Sequence, residues 1–214
     1  MNAVESTSVR AVAGGLEQLR AARADSAMRA DARRNYERLL TAASAAFAER
    51  GADDVSLEEI ARRAGVGIGT LYRHFPTRPA LLEAVYRDQV EALGALAGKL
   101  LAAESPSAAL AQWVKALVEF SATKRGFMRE LMADSPFIPV CKTVIGESSN
   151  ALLERAQQAG VARADVSGSD LSRMAHGLVV AAEFGRDDPA LLDRMVSVVL
   201  AGLLTEPGGQ PATR

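Results

Sequence analysis

The sequence predicts an all-α protein, and three observations indicate this class. Apolar residues recur every three or four positions, the spacing of one helix face, through most of the 214 residues. Hydrophobic residues make up 49% of the chain but aromatic residues only 5%, a balance that favours helices over strands. No segment shows the strict apolar–polar alternation of a half-buried strand. Apolar spacing and glycine and proline breaks predict nine helices, at residues 32–50, 56–64, 68–74, 77–102, 105–122, 127–132, 140–158, 169–184 and 189–204.

The two ends of the chain are predicted to be flexible. Residues 1–30 are rich in Ala, Arg and Ser and contain a Gly14-Gly15 break, and residues 207–214 form a tail that contains Gly and Pro. Met28 begins a segment that reads as a natural protein start. The stretch before it is therefore either a misassigned start or a genuine basic arm, and we favour the first interpretation.

Composition restricts the cellular setting. Cys141 is the single cysteine, so no intramolecular disulfide is possible and a reducing cytoplasm is the expected location. The first thirty residues lack the apolar core of a signal peptide, and no run approaches the length of a membrane-spanning helix. The net charge is −1, with +2 on residues 1–87 and −3 on residues 88–214. This weak asymmetry is compatible with a basic DNA-binding part and an acidic remainder.

The most informative segment runs from Ser56 to Phe75, with the sequence SLEEIARRAGVGIGTLYRHF. Ser56 and Glu59 fit a capping box, in which a hydroxyl and a carboxylate satisfy the first free amides of a helix. Gly65 ends that helix, and the second helix presents polar side chains around one buried residue, Leu71. Two helices joined by a short turn containing glycine form a helix-turn-helix, whose second helix enters the major groove of DNA.

A longer string makes this interpretation specific. GTLYRHFPTRPALLEAVY follows the segments LLTAA, FAERG and LEEIARRAG, and together they resemble the DNA-binding domain of the tetracycline-repressor (TetR) family. The match covers roughly residues 33–87. Beyond residue 90 only the architecture is similar.

The resemblance implies a nine-helix fold with two functional parts. Residues 31–87 would form the helix-turn-helix DNA-binding domain, and residues 88–206 a ligand-binding and dimerisation domain. A homodimer is implied because two recognition helices must reach successive major grooves of a palindromic operator, about 34–36 Å apart. We expect a repressor that a small apolar or aromatic ligand releases from double-stranded DNA.

By the same resemblance, DNA contacts are assigned to the recognition helix and its surroundings: Arg33, Arg34, Ser56, Gly67, Ile68, Gly69, Thr70, Tyr72, Arg73, His74 and Arg78. Tyr72 and His74 would touch phosphates, and Arg78 would clamp one. Arg73 either reads guanine through two hydrogen bonds or binds the DNA backbone. Simpler alternatives are a packing role for Tyr72, a surface histidine at position 74, and solvated charge at Arg33 and Arg34.

The C-terminal part supplies the candidate ligand and dimer residues. Large soft side chains with few charges predict an apolar or aromatic ligand, with His176 or Glu183 as its polar anchor. Ordinary core packing is the alternative for each pocket residue, and packing on the sensor core is the alternative for both dimer stripes. The pocket candidates are Trp113, Phe120, Phe127, Met128, Met132, Phe137, Cys141 and His176. The dimer candidates are Leu171, Met174, Leu178, Ala182, Met195, Val199 and Leu203.

Catalytic and metal sites have little support in the sequence. The two histidines, His74 and His176, are about a hundred residues apart with Cys141 between them, and no metal-ligand spacing occurs. The glycines from Gly65 to Gly69 lack the Lys-Ser/Thr ending and the preceding strand of a phosphate-binding loop. We therefore predict no enzymatic activity, metal or cofactor. Two alternatives stay open: a DNA-binding activator or architectural protein, and a helical enzyme or carrier with a vestigial DNA-binding domain.

Overall fold

The structure is a computed structural model, and it describes residues 13–18, 20, 30–52, 54–125, 135–185 and 187–205. In these ranges the chain is helical between its turns, with one isolated β-bridge between Ala162 and Leu204 and no strand. The all-α prediction is confirmed. The α-helices are α1 (Ala30–Arg50), α2 (Leu57–Ala64), α3 (Ile68–His74), α4 (Arg78–Leu101), α5 (Pro106–Arg125), α6 (Phe137–Gln158), α7 (Gly168–Ala182) and α8 (Leu191–Leu203). A 3-10 turn, Glu183–Gly185, follows α7.

Most predicted helix boundaries lie within two residues of the observed ones, but α6 starts earlier. The sequence predicted a break at Pro139 and a helix from residue 140, whereas α6 begins at Phe137. Pro139 is in the first turn of that helix, where the missing amide costs no hydrogen bond, so it does not interrupt the helix. The predicted helix at 127–132 and the predicted tail at 207–214 lie outside the described residues.

The N-terminal stretch differs in part from the flexible arm that was expected. Residues 13–18 are helical, Gly15 is buried and Leu16 packs against the core. The signal in the sequence is weak here because the adjacent glycines Gly14 and Gly15 disfavour a helix interior. The other residues before Ala30, apart from Arg20, lie outside the described ranges.

Helices α1, α2 and α3, called the head below, share one small core. Leu39 and Phe47 of α1, Ile60 of α2 and Leu71 of α3 are each at most 2% exposed. Leu71 is the one fully buried residue of α3. The position of α3 therefore depends on this single side chain and on the turn that precedes it.

The N-terminus of α2 forms one of the two hydrogen bonds of the predicted capping box. The Ser56 hydroxyl accepts a hydrogen bond from the Glu59 backbone amide at 3.2 Å. The predicted second bond, from the Ser56 backbone amide to the Glu59 carboxylate, is replaced by ion pairs of that carboxylate with Arg50 and Arg63. The capping box is half formed because the two guanidinium groups offer the carboxylate charged partners.

Helix α4 connects the head to the other helices. It packs against α1 at one end and against α5 and α6 further along. Arg155 of α6 donates to the carbonyl of Leu100 at 3.2 Å and to that of Ala103, which satisfies carbonyls at the C-terminus of α4. Trp113 of α5 donates from Nε1 to Ser149 Oγ of α6 at 3.1 Å. Helices α5 to α8 are called the bundle below. In the bundle, α7 packs on α5 and α6.

Among the described residues, no helix is long and apolar enough to cross a bilayer. In the same ranges, no group of three or more His, Cys, Asp or Glu side chains is arranged to hold a metal ion.

Candidate nucleic-acid interface and ligand cavity

A left-handed glycine fixes the turn between α2 and α3. Gly65 has φ +62° and its amide bonds the carbonyls of Ala61 and Arg62 at the end of α2. Its own carbonyl accepts a hydrogen bond from Arg38 of α1 at 3.2 Å. A Cβ at this position would be strained by the backbone and would lie 2.5 Å from Arg38 Nη2. The predicted glycine turn is confirmed, and it is tied to α1.

The outer side of α3, called the recognition face, is open. It consists of Gly67, Ile68, Gly69, Tyr72 and Arg73, all exposed. Tyr72 is 45% exposed and Ile68 38%, although both are large hydrophobic side chains. A Cβ added at Gly67 or Gly69 would meet no atom within 4 Å. Packing within the protein therefore does not explain these two glycines, which leave room for the close approach of another molecule.

Thr70 and His74 lie at the edge of the recognition face and are half-buried. The His74 ring contacts Tyr36 edge-on, with centroids 5.9 Å apart, and also lies 6.2 Å from the ring of Phe75. Burial lowers the pKa of His74 below its usual value. The imidazole is therefore predominantly neutral near pH 7 and offers one N–H donor rather than a positive charge.

Arg78 has contacts within the protein that the sequence did not predict. Its guanidinium donates to the carbonyl of Val55 at 2.8 Å and to that of Ala52, and the side chain is half-buried. These bonds join the loop after α1 to the first turn of α4. We therefore assign Arg78 a role in positioning α4 against the head and do not retain it as a phosphate clamp.

The other predicted DNA contacts lie outside α3. Arg33 and Arg34, near the N-terminus of α1, pair with Glu37 at 3.1 Å and with Asp31. Both pairs are exposed and join residues three or four apart on one helix, so they are weak and leave the guanidinium groups accessible. Ser56 is occupied as the cap of α2.

A cavity of about 550 Å³ opens between α4, α5, α6 and α7. Its apolar wall contains Tyr86 and Phe120, whose rings lie 5.7 Å apart. Burial, with a smaller contribution from Cys141, raises the pKa of Tyr86, so its hydroxyl is protonated. The full lining is Tyr86, Leu117, Phe120, Ser121, Lys142, Ile145, Gly146, Ser169, Ser172, Arg173 and His176.

Only two of the predicted pocket residues, Phe120 and His176, line this cavity. Trp113 and Cys141 are fully buried and belong to the core around it. Phe137 is half-buried, with the Arg87 guanidinium 5.0 Å from its ring centre. The remaining candidates, which lie outside the described residues, are Phe127, Met128 and Met132.

On the polar side of this cavity, His176 was predicted from the sequence and the other polar residues were not. Ser169, Ser172, Arg173 and His176 follow one another at helical spacing along α7. A polar stripe on an otherwise apolar helix was a readable signal. Lys142 carried no such signal, because an exposed lysine on a helix is ordinary.

The predicted dimer stripes face the protein's own core. Leu171, Leu178 and Leu203 are 1%, 9% and 3% exposed, so their side chains are not available to a partner. The other four candidates are half-buried: Ala182, Met174, Met195 and Val199. The last three of these pack against the core. The apolar side chains that are exposed are different ones, namely Phe184 at 91% and Val198 at 72%. Small exposed residues occur at helical spacing from them: Gly177 and Ala181 precede Phe184, and Ala201 and Gly202 follow Val198.

An exposed recognition helix held by a glycine turn, joined by α4 to a helical bundle with a cavity, defines a helix-turn-helix regulator. Known proteins agree with this class. Residues 39–85 match the family model "Bacterial regulatory proteins, tetR family", and residues 105–205 match "Transcriptional regulator SbtR-like, C-terminal domain".

Two crystal structures match most of the chain. The TetR transcription regulatory protein from Mycobacterium vanbaalenii is 37% identical, with TM-score 0.64, and the match covers 83% of this chain and 99% of that one. The TetR transcriptional regulator SCO0520 from Streptomyces coelicolor is 32% identical, with TM-score 0.66, over 81% and 99%. The chain therefore belongs to the TetR family, and it is a DNA-binding transcriptional regulator.

A curated relative matches over a short part of the chain. HTH-type transcriptional regulator SAUSA300_2515 of Staphylococcus aureus is 43% identical over 54 residues, which are 25% of this chain. This chain thus spans 29% of that relative's length.

Proposed function

We propose that the protein is a homodimeric repressor that binds a palindromic operator and leaves it when a small molecule occupies the bundle cavity. The observation that carries this proposal is the recognition face of α3. Its side chains are exposed, its glycines leave open space, and it stands on a turn anchored to α1. Such a face suits the major groove, which admits one helix.

Tyr72 and Arg73 are the principal proposed DNA contacts. In the described part of the chain, neither side chain has a hydrogen-bond partner that would hold it against the protein. Arg73 has the geometry to bind guanine or a phosphate, and the Tyr72 hydroxyl can donate to a phosphate oxygen. Thr70, His74, Ile68 and the two glycines would lie at the rim of the same contact.

The exposed apolar patch around Phe184 and Val198 is the proposed dimer interface. A phenyl ring that is 91% exposed is costly in water, and two-fold related copies would bury two of them. The small residues Gly177, Ala181, Ala201 and Gly202 next to it allow two helices to approach closely. This surface replaces the buried stripes that the sequence suggested.

The proposed effector is an aromatic molecule that carries an acidic or hydroxyl group. The rings of Tyr86 and Phe120 offer it an apolar wall. On the opposite side, Lys142, Arg173 and His176 offer hydrogen-bond donors, and no carboxylate is among the described lining residues. This chemistry extends the apolar or aromatic ligand expected from the sequence.

The proposal is tested by selecting operators from a random DNA pool and then measuring affinity by fluorescence anisotropy over a salt series. A palindromic consensus and a steep salt dependence are expected. Arg73→Ala should weaken binding about tenfold or more, given the ~1–3 kcal/mol of a bidentate base contact. Lys99→Ala, which removes one exposed positive charge near the far end of α4, is the matched control. If no sequence is enriched, or if both variants bind equally well, the DNA-binding assignment of α3 is wrong.

Repression and release need their own readouts. The position of the selected operator relative to the promoter separates a repressor from an activator. Benzoate and benzyl alcohol, which differ in charge, are suitable first probes of the cavity in the same assay. Release by an aromatic acid that is lost in Lys142→Ala would support the effector proposal, and turnover of such a compound without DNA affinity would favour the enzyme alternative.

A further inference from the structure

The N-terminal segment of residues 13–18 and 20, called the arm, interlocks with α4 and α6. A Cβ at Gly15 would lie 2.5 Å from Val144 Cγ2 of α6. A Cβ at Gly94 of α4 would lie 2.8 Å from Leu16 Cδ2 and 3.1 Å from Val144 Cγ1. Both glycines therefore permit a contact that any larger residue would disturb. Leu16 fills the space between the two helices that Gly94 leaves.

A second contact places the arm beside the joint between head and bundle. Arg20 Nε lies 3.1 Å from Glu91 Oε1 of α4. Glu91 also borders the shallow depression where Tyr36 and Leu40 of α1 meet α4. The Arg20 side chain is 60% exposed, so the ion pair adds orientation more than stability, and Leu16 supplies the apolar contact.

The helices that hold the arm also line the ligand cavity. Helix α6 contributes Lys142 and Ile145 to the cavity and the adjacent Val144 to the arm contact. Helix α4 contributes Tyr86 to the cavity and Gly94 and Glu91 to the arm. A change in the spacing of α4 and α6 therefore acts on the cavity and on the arm site together.

We propose that the arm is an intramolecular brace that docks in the α4–α6 groove and holds the head in its DNA-binding arrangement. The brace restrains α4, because it ties α4 to α6 next to the point where α1 packs on α4. A head that is already oriented loses less conformational freedom when two copies bind successive grooves, so docking increases operator affinity. This role rests on the proposed function, since it is measured on the operator. Neither matching family model includes the arm, because the two matches begin at residues 39 and 105.

The test compares operator affinity, without any small molecule, for the full-length protein and variants of the arm. Leu16→Asp places a charge in the groove, and deletion of residues 1–20 removes the arm. Glu17→Ala, at an exposed position of the same segment, is the matched control. Both disruptive variants should bind the selected operator about three- to tenfold more weakly, the scale expected when preorganisation is lost. Glu17→Ala should bind like the wild type, and all variants should keep the same oligomeric state.

A charge exchange adds a direct check of docking. Arg20→Glu should weaken operator binding, and the double variant Arg20→Glu/Glu91→Arg should recover part of it. Lower thermal stability of Leu16→Asp with unchanged operator affinity would make the arm a structural element only and overturn the proposal. Tighter binding by the deletion variant would also overturn it, because the arm would then be inhibitory. If the wild type selects no operator, the proposed function is wrong, and the proposed role of the arm is then wrong as well.

Discussion

Helices α3 and α7 both combine a buried side with a polar side, but the polar sides meet different surroundings. In α3 one buried residue, Leu71, supports a face that is open to solvent. In α7 several buried residues, among them Leu171 and Leu178, support a polar stripe that faces a cavity of about 550 Å³. An open face accepts an extended partner such as a DNA duplex, whereas a cavity of this volume accepts a small molecule.

The difference in anchoring gives the largest expected effect. Leu71→Ala should lower the free energy of unfolding by about 2–5 kcal/mol, because it removes the one fully buried side chain of α3. Hydrogen exchange should show that the amides of α3 lose protection. The same change at Leu178 is the comparison, since α7 keeps its other buried residues and should stay protected.

Equal loss of protection in the two helices would show that α3 is held by more than Leu71. The anchoring argument would then be wrong. Circular dichroism of both variants ensures that global unfolding is not mistaken for local opening of one helix.

The second prediction concerns the proposed dimer interface of the bundle. Phe184→Asp should raise the dimer dissociation constant about 30-fold or more, the effect of losing an interface hot spot of ~2 kcal/mol. Sedimentation velocity over a concentration series measures it, with Gln112→Asp on α5 as an exposed control for added charge. An unchanged dimer would exclude Phe184 from the interface and return attention to the rest of the surface of α7 and α8.

The same contrast explains how much the sequence revealed. The helices and the turn of the head could be predicted from the sequence, because the glycine turn at Gly65 and the exposed side of α3 depend on contacts within about forty residues. The internal partners of Arg78 could not, since a guanidinium that binds carbonyls looks in sequence like one that binds phosphate.

In the bundle, apolar spacing identified the helices but not which apolar residues face the core. The stripe of Leu171 and Leu178 and the exposed pair Phe184 and Val198 are equally hydrophobic, and only the packing of α7 on α5 and α6 separates them. The cavity lining combines side chains from four helices, so no local pattern could assemble it. The bracing contact of Leu16 with Gly94 joins residues far apart in sequence and was invisible for the same reason.

The third prediction separates packing from DNA approach on α3. Gly69→Ala should leave the fold intact and stabilise α3 by up to ~1 kcal/mol, because a Cβ there meets no protein atom and alanine favours the helix. Operator affinity should nevertheless fall, since the added methyl group occupies space that DNA would use. Gly98→Ala on α4, where a Cβ also meets nothing, is the matched control for helix propensity.

A thermal melt and an operator titration of these two variants decide the point. A more stable Gly69→Ala protein with weaker DNA binding, beside a Gly98→Ala protein with unchanged binding, is the expected pair of results. Wild-type operator affinity for Gly69→Ala would mean that the duplex does not come close to this side of α3.

The smallest expected effect is a pH dependence of head stability that originates at His74. Burial against Tyr36 and Phe75 lowers the pKa of His74 in the folded protein, while the unfolded chain keeps a value of about 6.5. The unfolded state therefore binds more protons as the pH falls, so the stabilisation that is complete above about pH 6.5 decreases below it, until the folded histidine is protonated as well. Thermal melts between pH 5 and 8 should show this decrease in the wild type and a smaller one in His74→Gln, which cannot titrate. An identical slope in both proteins would assign the acid sensitivity to carboxylates elsewhere and leave His74 as a neutral edge of the recognition face.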